Sequence, residues 1–440
     1  MYFLALTWQG LGAYFNTDDL VNLNIYASQS VGTTLKENLL YFSPAYRPMG
    51  GLFYQPLFAL FGLNPRPFRI VCFLFLGVNL YLVYLSFRLL TGSRETAALA
   101  ASMGAFHARF VDLYWSSGTI YDILCFTYYF AALAVYWNDR RRGRFPGWRR
   151  TVVVLALYVC ALDAKEMAVT LPLVLSLSEW ICFQSARWAG YRAPAIAGLM
   201  TVPYIFGKEA QGSMMSHLAS YRLHVSLGQY LTAQGVYLGD LFYREHWFTA
   251  ERTATLLLLL LAAALAMRSR QLVFAWSYLI AAILPVAFIA PRAGFAFYLP
   301  MAGWCLYAAL LLTSLRRAIA RFLPTRTVLF QKAALFGLTL ALLCRAHRVQ
   351  RLRMGGPGIL GQPLVRALVS ELDRRRVQLP PGARVWVTGD PFPRGEFGMT
   401  LLLRVYTNDP ELRVFEGRPA EGNQREYVLE WVGTTLESFD

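Results

Sequence analysis

Hydrophobic residues fall into about eleven long runs separated by polar segments, and this pattern predicts membrane-spanning helices. A helix needs roughly 20 apolar residues to cross a bilayer. The predicted spans lie at 1–15, 67–89, 96–111, 119–137, 151–162, 168–183, 193–206, 253–267, 272–290, 295–315 and 328–344. The first run has only about fifteen residues and no basic flank, against roughly 20 needed. We therefore expect either that the natural chain begins upstream of Met1 or that this helix is short.

Two long segments between spans, 16–66 and 207–252, contain apolar stretches that are too short to cross a bilayer. These stretches are 31–42, 49–61 and 227–243, and we expect them to be helices that lie in the membrane interface. Long structured loops favour an enzyme with a site over the membrane surface rather than a simple channel.

The last hundred residues change character. A helical pattern at 359–377 places Leu364, Leu368 and Leu372 on one face, and residues 384–388, 412–415 and 427–432 have the pattern of strands. The predicted fold is an all-α polytopic membrane protein of about 11 transmembrane helices. It has interfacial helices in its outer loops and a small C-terminal α/β domain. The domain boundaries are 1–344 and 345–440.

Charge alternates between successive loops. One side of the membrane holds arginines at 88, 94, 140, 141, 142, 144, 149, 150, 187, 192, 268, 270, 316, 317, 321 and 326. Since cytoplasmic loops carry an excess of lysine and arginine, this side is predicted to be cytoplasmic. The other side holds Asp18, Asp19, Asp112, the 163–166 turn and Arg292. An odd number of spans also places the C-terminal domain outside, although arginines 345, 348, 351 and 353 would then lie outside as well.

Composition agrees with a membrane protein. Of 440 residues, 56% are hydrophobic, and the mean hydropathy is +0.38. Only 15% are charged, whereas soluble domains carry about 25% charged residues. The net charge of +16 would suggest nucleic acid in a soluble protein, but here the arginines are in short loops, so no nucleic-acid partner is expected. The six cysteines and five histidines lack the spacing of metal ligands.

Asp18 and Asp19 stand side by side just beyond the first predicted span. Acids beside a bilayer are costly to place and are functional candidates. They could equally mark the exposed start of a loop, and the pair alone does not decide between these interpretations.

Several further segments share the predicted outer side with this pair. They are Tyr46-Arg47-Pro48, residues 57–65, His107, Trp115-Ser116-Ser117-Gly118, Asp122, residues 165–172 beginning Lys165-Glu166, Arg292 and Tyr298-Leu299-Pro300. Together they resemble the C-type glycosyltransferases, especially the protein O-mannosyltransferases and the membrane half of their tetratricopeptide-bearing members. The resemblance covers about residues 14 to 312, and no tetratricopeptide repeats follow.

This resemblance implies an integral-membrane enzyme of the bacterial plasma membrane whose site faces away from the cytoplasm. It would move a sugar, a hexose such as mannose, from a polyprenyl-phosphate carrier to an acceptor protein, lipid or glycan. The resemblance implies that Asp18 is the general base and that Asp19 orients the acceptor or holds a divalent metal, a metal that the sequence leaves open.

The departing phosphate needs cations, and Lys165, Arg292 and Arg47 are the candidates. The resemblance adds His107, Asp122, Glu166 and Tyr298 as substrate-binding residues.

Other interpretations of these residues stay open. Lys165 and Glu166 can be a local ion pair at a helix end, Arg47 can anchor a lipid headgroup, and His107 can be a packing residue. A lipid or solute transporter or flippase is the main alternative function. Transporters commonly show internal repeats and sites near the midplane, and the sequence has neither matching halves nor acids in the middle of a span. A scaffolding protein would not need charges gathered on one side.

Overall fold

The computed structural model describes residues 2–209, 222–292, 294–322, 327–353, 361–393, 397–418 and 426–439, most of them helical. The first half contains α1 (Tyr2–Thr7), α2 (Thr17–Tyr26), α3 (Val31–Leu39), α4 (Met49–Phe61), α5 (Pro65–Thr91), α6 (Arg94–Met103), α7 (Val111–Trp115), α8 (Ile120–Arg141), α9 (Trp148–Ala164), α10 (Leu171–Leu177) and α11 (Trp188–Glu209). The second half contains α12 (Leu227–Leu241), α13 (Ala250–Ala266), α14 (Arg270–Ala282), α15 (Leu284–Ala287), α16 (Tyr298–Ala320), α17 (Val328–Arg353), α18 (Gln362–Arg375) and α19 (Gly398–Thr407). Short 3-10 turns occupy Trp8–Gly12, Ala108–Phe110, Glu166–Thr170 and Gly294–Phe297, and a π-helical turn occupies Ser178–Phe183.

Five helical segments are long and apolar enough to cross a membrane in the part of the chain that the structure describes. They are Pro65–Thr91, Ile120–Arg141, Glu166–Phe183, Gly294–Ala320 and Val328–Arg351. The sequence determines where α5 begins and ends. Asn64 caps its first turn and Pro65 suits the first helical position, while Gly92 follows the last helical residue with φ +71°. α8 packs between α5 and α9, while α16 packs against α6 and α14.

The predicted count of about 11 spans is not confirmed. The predicted span at 96–111 was wrong, because α6 is only 10 residues long and ends at Met103. Gly104 follows, and the chain then turns through Ala108–Phe110 into α7. The first predicted span forms the six-residue α1 and a 3-10 turn, which is shorter than a bilayer requires. The other predicted spans form helices that are shorter or less apolar than the five.

The three stretches predicted as interfacial helices are α3, α4 and α12. α3 exposes Val31, Leu35 and Leu39, which lie on one side of the helix at the spacing of an amphipathic segment. Their place in a membrane interface stays a prediction.

The C-terminal region folds around one sheet of four strands, β1 (Arg384–Thr388), β2 (Arg413–Glu416), β3 (Glu426–Val432) and β4 (Thr435–Phe439). Their order is β2-β1-β3-β4, with β1 parallel to β2 and β3, and β3 antiparallel to β4. The predicted helix is α18, which buries Leu368 and Leu372, while residues 359–360 of that prediction lie outside the described residues. The three predicted strands are present, and the sequence reading missed α19 and β4. α19 packs against α2, so the sheet region sits beside the segment that carries Asp18.

Candidate functional site

The first turn of α2 presents the two adjacent acids in opposite directions. Asn16 caps the helix by accepting a hydrogen bond from the Asp19 backbone N–H at 2.9 Å, and the Asp19 carboxylate accepts from the Asn16 N–H at 3.1 Å. This reciprocal pair is a capping box. It holds Asp19 in the interior, where it is fully buried, and leaves Asp18 exposed. The sequence places both acids together, but only Asp18 can meet a solvent-borne substrate.

A polar network surrounds the buried Asp19. The Tyr54 hydroxyl donates to Asp19 Oδ1 at 3.3 Å, Asn22 Nδ2 donates to the Tyr54 hydroxyl at 3.3 Å, and the Tyr121 hydroxyl donates to Asn22 Oδ1 at 2.7 Å. Burial raises the pKa of Asp19 to about 7, against the opposing effects of the Asn16 N–H and the charge of Arg69. Asp19 therefore fixes the start of α2 and is removed from the surface.

The segment after α7 approaches Asp18 closely. A Cβ atom at Gly118 would lie 3.1 Å from Asp18 Cβ and 3.2 Å from Ser116 Oγ, so glycine permits the approach. Ser116 Oγ also accepts a hydrogen bond from Asn16 Nδ2 at 3.0 Å, which ties the two segments together. These contacts indicate that the Trp115–Gly118 motif packs beside Asp18 and forms the surface next to it.

Asp112 lies within electrostatic range of both Asp18 and Asp122. Burial raises its pKa to about 6, and the negative charges of Asp18 and Asp122 raise it further. Asp18 and Asp122 are therefore both near Asp112, although they are 104 positions apart in sequence. Asp112 was not among the predicted site residues; the available signal was its position on the same predicted side as Asp18.

A buried ion pair joins α8 to the end of α9. Lys165 Nζ lies 2.5 Å from Asp122 Oδ1, and the two side chains are only 5% and 7% exposed. Lys165 Nζ also lies 4.8 Å from the ring centre of Phe295, a cation–π contact. The structure thus brings the predicted Asp122 and Lys165 together, and it pairs Lys165 with Asp122 rather than with the adjacent Glu166.

Glu166 instead pairs with Arg47. One Arg47 nitrogen donates to both Glu166 oxygens, at 2.9 and 3.2 Å, and this pair forms across 119 positions of sequence. The Arg47 guanidinium also lies over the rings of Tyr46 and Tyr121, at 4.7 and 5.3 Å. Its Nε is buried and has no hydrogen-bond partner among the described residues. A buried donor without an acceptor is costly and marks a place where a ligand oxygen would fit.

The backbone of Arg47 is unusual as well. It has φ +44°, in the left-handed region that a non-glycine residue rarely adopts, and Pro48 restricts it further. The Tyr26 hydroxyl donates to the Arg47 carbonyl at 3.0 Å and to the Tyr46 carbonyl, which holds this conformation. Strained backbone of this kind is concentrated at functional positions.

Arg292 and Tyr298 are two further residues that the sequence predicted for the site. Arg292 is half-buried, and its backbone N–H donates to the Tyr237 hydroxyl at 3.0 Å. The charges of Arg292 and Asp122 both act on Tyr237, so Arg292 lies on the same side of the protein as the ion pairs. Tyr298 stacks on Phe126 at 4.2 Å and accepts a hydrogen bond from Asn79 at 3.4 Å, below the charged groups in the helix bundle.

His107 belongs to a separate cluster. Its ring stacks on Tyr243 at 4.6 Å and lies 5.2 Å from the ring of His347, and its Nε2 is 3.0 Å from the Leu241 carbonyl. No contact joins His107 to the paired charges around Lys165 within the described part of the chain. The packing interpretation fits His107 better than a substrate-binding one.

The described residues contain no group of three or more His, Cys, Asp or Glu side chains that could hold a metal ion. The residues described above offer one exposed carboxylate, two buried carboxylates, two half-buried carboxylates and two paired cations. These groups suit proton transfer and the binding of an anionic group.

Comparisons with known proteins bear on the fold. No protein-family profile matches the chain, and no curated protein sequence does. The apo crystal structure of ArnT from Cupriavidus metallidurans matches with a TM-score of 0.50 and 12% identity, over 94% of this chain and 84% of that chain. ArnT from the same organism bound to undecaprenyl phosphate matches with a TM-score of 0.45 and 14% identity, over 96% and 84%. The particular resemblance to O-mannosyltransferases is not supported by these matches. The chain has the fold of ArnT and, with its apolar helices, is a polytopic membrane protein.

Proposed function

We propose that this protein is an integral-membrane glycosyltransferase that moves a sugar from a polyprenyl-phosphate carrier to an acceptor hydroxyl. The observation that carries the proposal is the convergence of Asp18, Asp112 and the Asp122–Lys165 pair, with Arg47 beside them. These residues come from five separate segments, and their convergence at one end of the helices supports a charged site there. ArnT, which shares the fold, has been crystallised with undecaprenyl phosphate, a carrier of the proposed class.

Asp18 acts as the general base in this proposal. Its exposed carboxylate takes the proton of the acceptor hydroxyl as the acceptor oxygen bonds to the anomeric carbon of the sugar. The bond from that carbon to the phosphate oxygen breaks at the same time, and its electron pair stays on the phosphate.

Arg47 and Lys165 hold the departing phosphate. Arg47 Nε is buried and has no hydrogen-bond partner within the described residues, and a phosphate oxygen would satisfy it. Lys165 has three ammonium protons and directs only one toward Asp122 in the described structure, so it can share a phosphate. Arg292, on the same side, is the third cation of the proposal.

The acids beside the cations have a positioning role. Asp122 fixes Lys165 and Glu166 fixes Arg47, which keeps both cations ready before the carrier binds. Asp19 holds the first turn of α2 through its capping box and thereby aims Asp18. We assign Asp19 no contact with the acceptor, because its side chain is fully buried. Tyr298 and His107 support the site through packing.

The site faces away from the cytoplasm in this proposal. α8 begins next to Asp122 and ends at Arg140 and Arg141, and α16 carries Arg316 and Arg317 close to its end at Ala320. Arginine-rich helix ends prefer the cytoplasm, so the opposite ends, where the site is, lie outside. The protein would then reside in the bacterial plasma membrane, with a hexose such as mannose as the donor sugar.

A direct test is transfer by the purified protein in sealed lipid vesicles, which keep the two faces of the bilayer apart. Undecaprenyl phosphates carrying different labelled sugars are supplied in turn, and release of undecaprenyl phosphate is followed with and without candidate acceptors. Release with one of the sugars supports the proposal. Tight binding of every carrier with movement across the bilayer and no release would instead favour a lipid flippase.

A further inference from the structure

An open groove of about 600 Å³ lies between the C-terminal domain and the membrane part. Tyr14 and Phe58 form one wall, and Tyr406 lies on the other, at the end of α19. The volume falls within the range of about 300–1,000 Å³ that small-molecule sites occupy. A groove of this size with three aromatic side chains can accommodate a small molecule.

The polar groups of the groove are amides and one carboxylate. Asn64 and Asn408 stand at its rim and are exposed, and Asp373 is exposed beside Tyr406. Burial and the neighbouring Asp373 carboxylate raise the Tyr406 pKa to about 12, so the phenol stays protonated. None of the described lining residues is lysine or arginine.

The groove is built into the fold by specific contacts. The Arg366 guanidinium lies 5.3 Å from the Tyr14 ring centre and donates to the Gly12 carbonyl at 3.1 Å. Gln362 Nε2 donates to the Trp115 carbonyl at 2.5 Å, which anchors the start of α18 beside the Asp18 wall. The two sides of the groove are therefore held together by both charge and hydrogen bonds.

The groove lies near the carboxylate that acts as the base in the proposed function. Tyr14 is only four residues before Asp18, which places them at most about 14 Å apart along the chain. α19, which carries Tyr406, packs directly against α2, which carries Asp18. A molecule that lies in the groove can present one end to Asp18.

We propose that this groove binds the acceptor, and that the acceptor is a neutral oligosaccharide. The inference rests on the proposed function and adds the acceptor class. Aromatic rings pack against the apolar C–H faces of sugar rings, and amide and carboxylate groups accept and donate to sugar hydroxyls. An anionic headgroup would meet the Asp373 carboxylate, and Arg366, the cation beside Tyr14, does not line the groove and already donates to the Gly12 carbonyl. An acyl chain would be exposed to water in so open a groove.

The test is direct binding, measured without turnover. The full chain is placed in lipid nanodiscs, because the maltose headgroup of a common detergent would compete, and it is applied to an array of neutral, acidic and lipid-linked glycans and of peptides. We expect binding to neutral glycans. The best of them is then titrated against Tyr406→Ala, Tyr406→Phe and Asn408→Ala. Tyr406→Ala should weaken binding about ten-fold or more, because it removes one aromatic wall, whereas Tyr406→Phe keeps the ring and should lose less.

Phe397→Ala is the matched control. Phe397 is a largely exposed aromatic residue at the opposite end of α19 and does not line the groove, so its variant should bind the glycan as the wild type does. Absence of neutral-glycan binding, unchanged binding by Tyr406→Ala, or groove-dependent binding of peptides or lipids instead would overturn the inference. Titration of the wild type with undecaprenyl phosphate separates the two proposals. A chain that binds glycan in the groove but no carrier would contradict the glycosyltransferase proposal and leave the glycan site standing.

Discussion

Variants of the buried Lys165–Asp122 pair can distinguish a role of Lys165 in folding stability from a role in binding the carrier. With the side chains 5% and 7% exposed and 2.5 Å apart, neither charge has much access to water. Removing one partner of a buried pair costs about 3–5 kcal/mol, because an uncompensated charge is left behind, whereas removing both is close to neutral. Lys165→Met should therefore unfold at a clearly lower temperature, and Lys165→Met combined with Asp122→Asn should recover most of that loss.

Binding of the polyprenyl-phosphate carrier should not recover in the double variant, even though its stability does. If Lys165 also holds the phosphate, its loss removes a charge-assisted contact of about 1.5–3 kcal/mol, which corresponds to roughly 10-fold to 150-fold in affinity. The assay is titration of undecaprenyl phosphate into nanodiscs that contain each variant, alongside thermal unfolding. We expect the double variant to fold like the wild type and to bind the carrier at least about ten-fold more weakly.

A matched control exists at the opposite end of the helices. Arg140 and Glu179 form a pair that is equally buried, at 8% and 0% exposure and 2.7 Å. Arg140→Met should lower the unfolding temperature to a similar degree and leave carrier affinity unchanged. Wild-type carrier affinity in the double variant would show that Lys165 serves structure alone, and would refute the reasoning.

Three further predictions concern neighbouring residues. Arg47→Lys should weaken carrier binding about ten-fold, since lysine lacks Nε and cannot keep Glu166 and a phosphate together; affinity equal to the wild type would count against the phosphate role. Asp19→Ala should lower stability by about 0.5–2 kcal/mol through the lost capping box, measured by thermal unfolding below pH 3.8, where the carboxyl is protonated in both the folded and the unfolded chain. Asp112 has its folded pKa raised from 3.8 to about 6, so its stabilising contribution is present below pH 3.8 and is lost as the pH rises to about 6. Asp112→Asn should thus raise the unfolding temperature relative to the wild type above pH 6 and not at pH 4, and an equal difference at both pH values would contradict this.

Much of the fold follows from local sequence patterns. Residues 49–61 and 384–388 form a helix and a strand with the predicted bounds, because length, apolar pattern and turn residues all agree there. The predicted span at 96–111 failed because Gly104 ends the helix at Met103, and an apolar run alone does not show where a helix stops. α19 was missed, since its ten residues carry too short a pattern to stand out.

The sequence singled out most residues of the candidate site, but it did not show which of them pair with one another. Lys165 and Glu166 are adjacent, and a local ion pair between them was one interpretation of the sequence. The structure separates them, giving Lys165 to Asp122 and Glu166 to Arg47, across 43 and 119 positions. Such partners are set by the packing of distant helices, which local patterns do not report.

The central claim is that Asp18 is the base of a sugar-transfer reaction. The measurement that tests it most directly is transfer from a labelled undecaprenyl-phosphate sugar by Asp18→Asn, with Glu411→Gln, a change in an exposed C-terminal turn, as the control for handling and folding. Asn is nearly the same size as Asp but cannot accept the proton. We predict normal folding, near-normal carrier binding and a loss of turnover of roughly 10²–10⁴-fold. Transfer by Asp18→Asn at close to the wild-type rate would contradict the account.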